Sequence, residues 1–125
     1  MRTKVRAPYS CYKSNVDYTL KDIAKMIDHS LLNPALTIDQ LEQGIQIALK
    51  YEVASVCIMP FYLKRCSELL KGSGVKASTT IGFPHGGHAT LAKISETKQA
   101  LDDGCEELDV VLNISQVISG NWDYV

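Results

Sequence analysis

Hydrophobic and polar positions in this chain alternate between two periods. Behind the capping-box sequence TIDQ at 37–40, Leu41, Ile45, Ala48 and Leu49 recur at helical spacing. Leu63, Cys66 and Leu70 repeat that spacing in FYLKRCSELLKGSG, which closes on glycines. A third helix is expected over LAKISETKQALDDG, 91–104, ending at Gly104. Period-two runs lie between these helices. VASVCIMP (53–60) stops at Pro60, VKASTTIGFP occupies 75–84, and EELDVVLN occupies 106–113. Upstream, TLKD opens a short helix with Thr19 as N-cap and Asp22 at the third helical position. A brief strand is expected just after it, around 26–28, and SQVISGNWDYV begins a further helical segment.

Strands that alternate with helices imply right-handed crossovers and a parallel sheet, hence an α/β fold. The two faces of the strands differ. Ala54, Val56 and Ile58 alternate with Ser55, Cys57 and Met59. Val75, Ala77 and Ile81 alternate with Lys76, Ser78 and Thr80, and Leu108, Val110 and Leu112 with Glu107, Asp109 and Val111. Doubly wound sheets carry apolar residues on both faces. Here the apolar face is expected to meet the helices, and the polar or small face to line an interior shared by the strands. A barrel with its site in the lumen fits that pattern better than an open sheet.

Bulk properties narrow the function classes. The chain has 125 residues, the length of one ordinary domain, with formal net charge −1. No strong field marks a nucleic-acid or membrane partner, and no apolar run is long enough to span a bilayer. Cys11, Cys57, Cys66 and Cys105 contain no CxxC pair, which suits a reducing, cytoplasmic setting. MRTKVRAPYSCYKSN carries Arg2, Lys4, Arg6 and Lys13 and no acid before Asp17. It lacks the amphipathic stripe of a transit peptide and reads as a basic, flexible extension over 1–18, followed by one domain over 19–125.

One residue contradicts its surroundings. Asp109 sits among Leu108, Val110, Val111 and Leu112, where an unpaired buried carboxylate costs several kcal/mol or more. It either caps a turn, pairs with a lysine on a neighbouring strand such as Lys76, or serves chemistry. Asp28 either anchors the backbone of the HSLL turn or points into a site. Cys57 is either a small buried hydrophobe or a pocket wall, and nothing adjacent in sequence would lower its pKa. In GFPHGGH, His85 and His88 flank glycines in a loop without an adjoining acidic or cysteine ligand, so no metal is expected. The same loop lacks the glycine spacing of a phosphate-binding frame.

Four stretches, MIDHSLLNP (26–34), SVCIMP (55–60), IGFPHG (81–86) and EELDVVLN, resemble deoxyribose-phosphate aldolase in order and spacing. The resemblance covers about 23–125. It implies the N-terminal half of a TIM (β/α)8 barrel, about four βα units, with a short leading helix. It implies a class I aldolase, without metal or cofactor, that cleaves 2-deoxyribose 5-phosphate to glyceraldehyde 3-phosphate and acetaldehyde through a lysine Schiff base. Asp109 would be the catalytic proton-relay residue, and Asp28 and Cys57 would lie in the substrate pocket.

The covalent centre is missing from the resemblance. The family's Schiff-base lysine and a second lysine lie on later strands, and a full barrel takes about 250 residues. Lys76 lies early in its strand, away from the C-terminal mouth where barrels do their chemistry, and Lys93 and Lys98 fall in a helix. No lysine of this chain is therefore expected to form the imine, and the chain alone is expected to be inactive. Four strands also leave two sheet edges, so a homo-oligomer or self-association through those edges is expected. The competing reading is a non-catalytic half-barrel or flavodoxin-like module that binds a small ligand or partner chain.

Overall fold

The structure, a computed structural model, describes residues 17–125. The basic extension expected over 1–18 therefore lies outside the described residues, apart from Asp17 and Tyr18. Helix α1 (Leu20–Ala24) leads into β1 (Asp28–Leu31), α2 (Ile38–Tyr51) and β2 (Ser55–Ile58). A turn of 3₁₀ helix at Pro60–Tyr62 opens α3 (Leu63–Leu70), and β3 (Lys76–Ile81), α4 (Thr90–Asp102), β4 (Glu107–Val110) and α5 (Ile114–Ile118) follow. Both expected capping boxes form. The Thr19 side chain accepts from the Asp22 amide and the Thr37 side chain from the Gln40 amide, with each N3 side chain returning the bond.

All four strands are parallel, in the spatial order β1-β2-β3-β4. A doubly wound flavodoxin-like sheet reverses its strand order at a switch point. This sheet does not reverse, so it winds as a barrel does, and the flavodoxin-like alternative fails on topology. The core forms where the sequence pattern places it. Val56, Ile58, Ala77 and Ile81 on the outer face pack against Leu41, Ile45 and Ala48 of α2 and Leu63, Cys66 and Leu70 of α3. Thr79 shares that face, buried, and its hydroxyl donates to the Ile58 carbonyl at 2.6 Å. A hydroxyl can be buried in an apolar layer only when it is bonded in this way.

One expectation needs correction. The first strand begins at Asp28 and does not end there. The Met26 and Ile27 amides donate to the Ile23 and Ala24 carbonyls at 3.0 Å, so these residues finish the turn after α1. Asp28 consequently opens β1, in register with Ser55, at the N-terminal rim of the sheet. On the inner face Ser55, Cys57, Ser78 and Thr80 are all buried. They are small side chains on the two central strands, where neighbours on both sides shade them. Exposure falls instead on the flanking strands, at Asp28, Ser30 and Asp109, and on the long Lys76 side chain at the start of β3.

Candidate active site

Alternation along each strand puts Asp28 and Ser30, Ser55 and Cys57, Ser78 and Thr80, and Asp109 on the concave face. Register sets their heights. Cys57 is level with Ser30 and Ser78, and Asp109 is level with Thr80. Cys57 and Asp109 stand on strands that are not neighbours, yet the Cys57 thiol donates to Asp109 Oδ2 at 3.3 Å. The contact passes over β3. A staggered, curved sheet brings inward residues of alternate strands into one layer, which is how barrel interiors fill. The short side chains of Ser78 and Thr80 leave the space that the contact needs.

This geometry answers why a hydrophobic strand carries an aspartate. Asp109 is on the flanking strand, exposed toward the concave side, and its carboxylate has a donor. The lysine partner offered by sequence does not materialise, because Lys76 Nζ pairs with Glu107 Oε1 at 2.6 Å, nearer the N-terminal rim. Burial, then the bond to Asp109, pushes the Cys57 thiol up to about 12 from 9.0; Ser78 opposes the shift and the charge of Asp28 adds to it. At neutral pH Cys57 is therefore a neutral thiol that donates, and not a nucleophile. Asp28 is held differently, accepting from the Ser55 hydroxyl at 2.7 Å. The structure thus joins Cys57 to Asp109 directly and leaves Asp28 below them on the same face.

The loop between β3 and α4 closes the C-terminal end of the sheet. Gly82 and Gly86 adopt φ of +68° and +65°, a region that favours glycine. The Gly86 amide donates to the Gly82 carbonyl at 2.8 Å, and the Gly86 backbone lies directly on the Leu112 carbonyl. The Phe83–Pro84 peptide between them is cis. Two α4 side chains, missed in the sequence, secure this end. Lys93 Nζ donates to the Val111 carbonyl at 2.7 Å, and Glu96 Oε2 accepts from the Gly82 amide at 2.8 Å. His85 and His88 stack with centroids 5.7 Å apart, both exposed. Among the described residues no group of three or more His, Cys, Asp or Glu side chains could hold a metal ion. None of the described helices is long and apolar enough to cross a membrane.

Curated relatives share both the sequence and the name of one enzyme. A deoxyribose-phosphate aldolase from Rhodopirellula baltica is 67% identical over 109 residues, which are 87% of this chain and 45% of the relative. One from Caldicellulosiruptor saccharolyticus is 47% identical over 107 residues, 86% of this chain and 49% of the relative. The chain is similar to about half of a deoxyribose-phosphate aldolase. No family model matches it. Among solved structures, a Coccidioides immitis protein provisionally assigned as a deoxyribose-phosphate aldolase superposes with a TM-score of 0.83 at 33% identity. That match covers 92% of this chain and 44% of the other. The deoxyribose-phosphate aldolase of Aeropyrum pernix, described as a tetramer, gives 0.73 at 33% identity over 78% of this chain and 42% of its own. The chain spans about half the length of the relatives it matches. Its order of four βα units is that of the first half of such an aldolase barrel.

Proposed function

We propose that residues 19–125 supply the proton-relay half of a deoxyribose-phosphate aldolase site. The observation that carries this reading is the Cys57–Asp109 contact on the concave face, at 3.3 Å, in a chain 67% identical over 109 residues to part of a curated aldolase. The reaction is reversible cleavage of 2-deoxyribose 5-phosphate to glyceraldehyde 3-phosphate and acetaldehyde through a lysine Schiff base, a step in nucleotide catabolism in the cytoplasm. The amine must come from strands beyond these four. Among the described residues, Lys76 is paired at the wrong rim and Lys93 is bonded to the Val111 carbonyl. Asp109 is an exposed carboxylate that can orient an incoming ammonium group by a charge-assisted bond. It can accept and return the proton as the carbinolamine loses water. Cys57 donates to one Asp109 oxygen and so fixes how the carboxylate faces the lumen. Asp28 shapes the floor. The sheet edges at β1 and β4 are the surfaces through which the chain self-associates.

The test is a chimera. The chain, followed by the remaining length of the Rhodopirellula baltica relative, should cleave 2-deoxyribose 5-phosphate, with release of acetaldehyde read by a coupled dehydrogenase. Asp109→Asn in that chimera should lose roughly 10²–10⁴-fold in kcat, as expected for a general acid–base group, with an unchanged circular dichroism spectrum. A folded chimera whose Asp109→Asn variant turns over at the parent rate would refute the relay role.

A further inference from the structure

Lys93 and Glu96 are one turn apart on α4, outside the sheet, yet each reaches the C-terminal rim. Glu96 takes the Gly82 amide, the first backbone group after β3. Lys93 takes the Val111 carbonyl, the first residue past β4 and two beyond Asp109. The Lys93 stem crosses directly over Gly82, where an added Cβ would lie 2.7 Å from its Cε. The Val111 amide in turn donates to the Ile81 carbonyl at 2.9 Å, so the two strand ends share one continuous set of polar bonds. Both side chains are partly buried, which makes their bonds costly to leave unmade. The Cys57–Asp109 bond spans two strands and depends on how high β4 stands relative to β2. β4 is also a flanking strand, with a neighbour on one side only to hold that height.

We propose that Lys93 and Glu96 are positioning residues that tie the ends of β4 and β3, respectively, to one helix, and so set the height of β4 at which the Asp109 carboxylate meets the Cys57 thiol. The catalytic meaning of that placement rests on the aldolase reading, but the geometry does not. The experiment therefore reads the thiol and not turnover. Lys93→Met keeps the apolar stem over Gly82 and removes the donor, and Glu96→Met removes the acceptor. The wild-type chain, both variants and Asp109→Asn are alkylated with iodoacetamide at several mildly alkaline pH values. Rates at Cys57 and Cys66 are resolved by peptide mass spectrometry.

Cys66 is the internal control. It is buried in α3, its thiol is also pushed up to about 12 by burial, and it has no bond to Asp109. Freed of the Asp109 carboxylate, Cys57 gains thiolate, so its rate should rise roughly tenfold in Lys93→Met and Glu96→Met, and in Asp109→Asn too. The Cys66 rate should stay at its wild-type value. Equal acceleration of Cys57 and Cys66 would mean that the two side chains only stabilise the fold, and would overturn the proposal. Wild-type rates at Cys57 in folded variants would overturn it as well. Neither outcome bears on whether the completed protein is an aldolase.

Discussion

Replacing Gly86 with alanine should be among the most damaging single-methyl changes available in this chain. An added Cβ would lie 1.9 Å from the Leu112 carbonyl oxygen, 2.5 Å from its carbon and 2.8 Å from the Val111 oxygen. These are backbone atoms at the end of β4, and no side-chain rotation relieves the overlap. The residue also sits at φ +65°, where alanine pays a further penalty of about 1–2 kcal/mol. Forcing a methyl into filled space adds about 1–3 kcal/mol, so the total comes to roughly 2–5 kcal/mol. Gly72 separates the two contributions. It has φ +79° and nothing within 4 Å of an added Cβ, so Gly72→Ala carries the backbone penalty alone. At about 4 °C per kcal/mol for a chain of this size, Gly86→Ala should melt roughly 4–12 °C below Gly72→Ala. Thermal scans at 222 nm on both variants, at matched concentration, measure the difference. Melting within about 2 °C of each other would show that the loop is not pressed against β4.

Other consequences are as direct. Treatment of the isolated chain with acetaldehyde and borohydride should label no lysine stoichiometrically; a unique adduct at Lys76 or Lys93 would show that the amine is already present. The chain should elute as a dimer or larger species by light scattering, because the β4 edge leaves Val110 53% exposed, with Leu112 and the α4 residues Leu91 and Ile94 also uncovered. Val110→Lys should shift it toward monomer, and a monodisperse wild-type monomer would refute edge association. The Cys57 and Cys66 thiols, held up to about 12 from 9.0, keep protons in the folded state that the unfolded chain releases above about 9. Their stabilisation is therefore complete below pH 9 and lost as pH rises toward 12. Cys66→Ala should flatten the alkaline limb of urea midpoint against pH, and an unchanged slope would place the alkaline sensitivity elsewhere.

Much of this molecule follows from local pattern. Helical spacing at Leu41, Ile45 and Ala48, and again at Leu63, Cys66 and Leu70, selects the buried faces of α2 and α3. Period-two alternation puts Cys57 and Asp109 on one side of the sheet, because a strand's side chains have only two directions to take. The two capping boxes mark helix starts through bonds between residues three apart. The order of elements and the small, polar inner face were legible for the same reason. What sequence could not decide depends on register and curvature. The first strand was misplaced because backbone bonds to Ile23 and Ala24, and not side-chain pattern, hold Met26 and Ile27. Asp28 therefore opens its strand. Glu107, and not Asp109, meets Lys76 because register sets Glu107 beside Ser78, two residues from the lysine, and Asp109 beside Thr80, four residues away, and pattern alone does not fix that register. Cys57 and Asp109 are 52 residues apart and on strands that do not pair, and only a curved, staggered sheet joins them across β3. Lys93 and Glu96 read as ordinary exposed helix residues until the fold carries their helix past the strand ends, where the unpaired Gly82 amide and Val111 carbonyl give them partners.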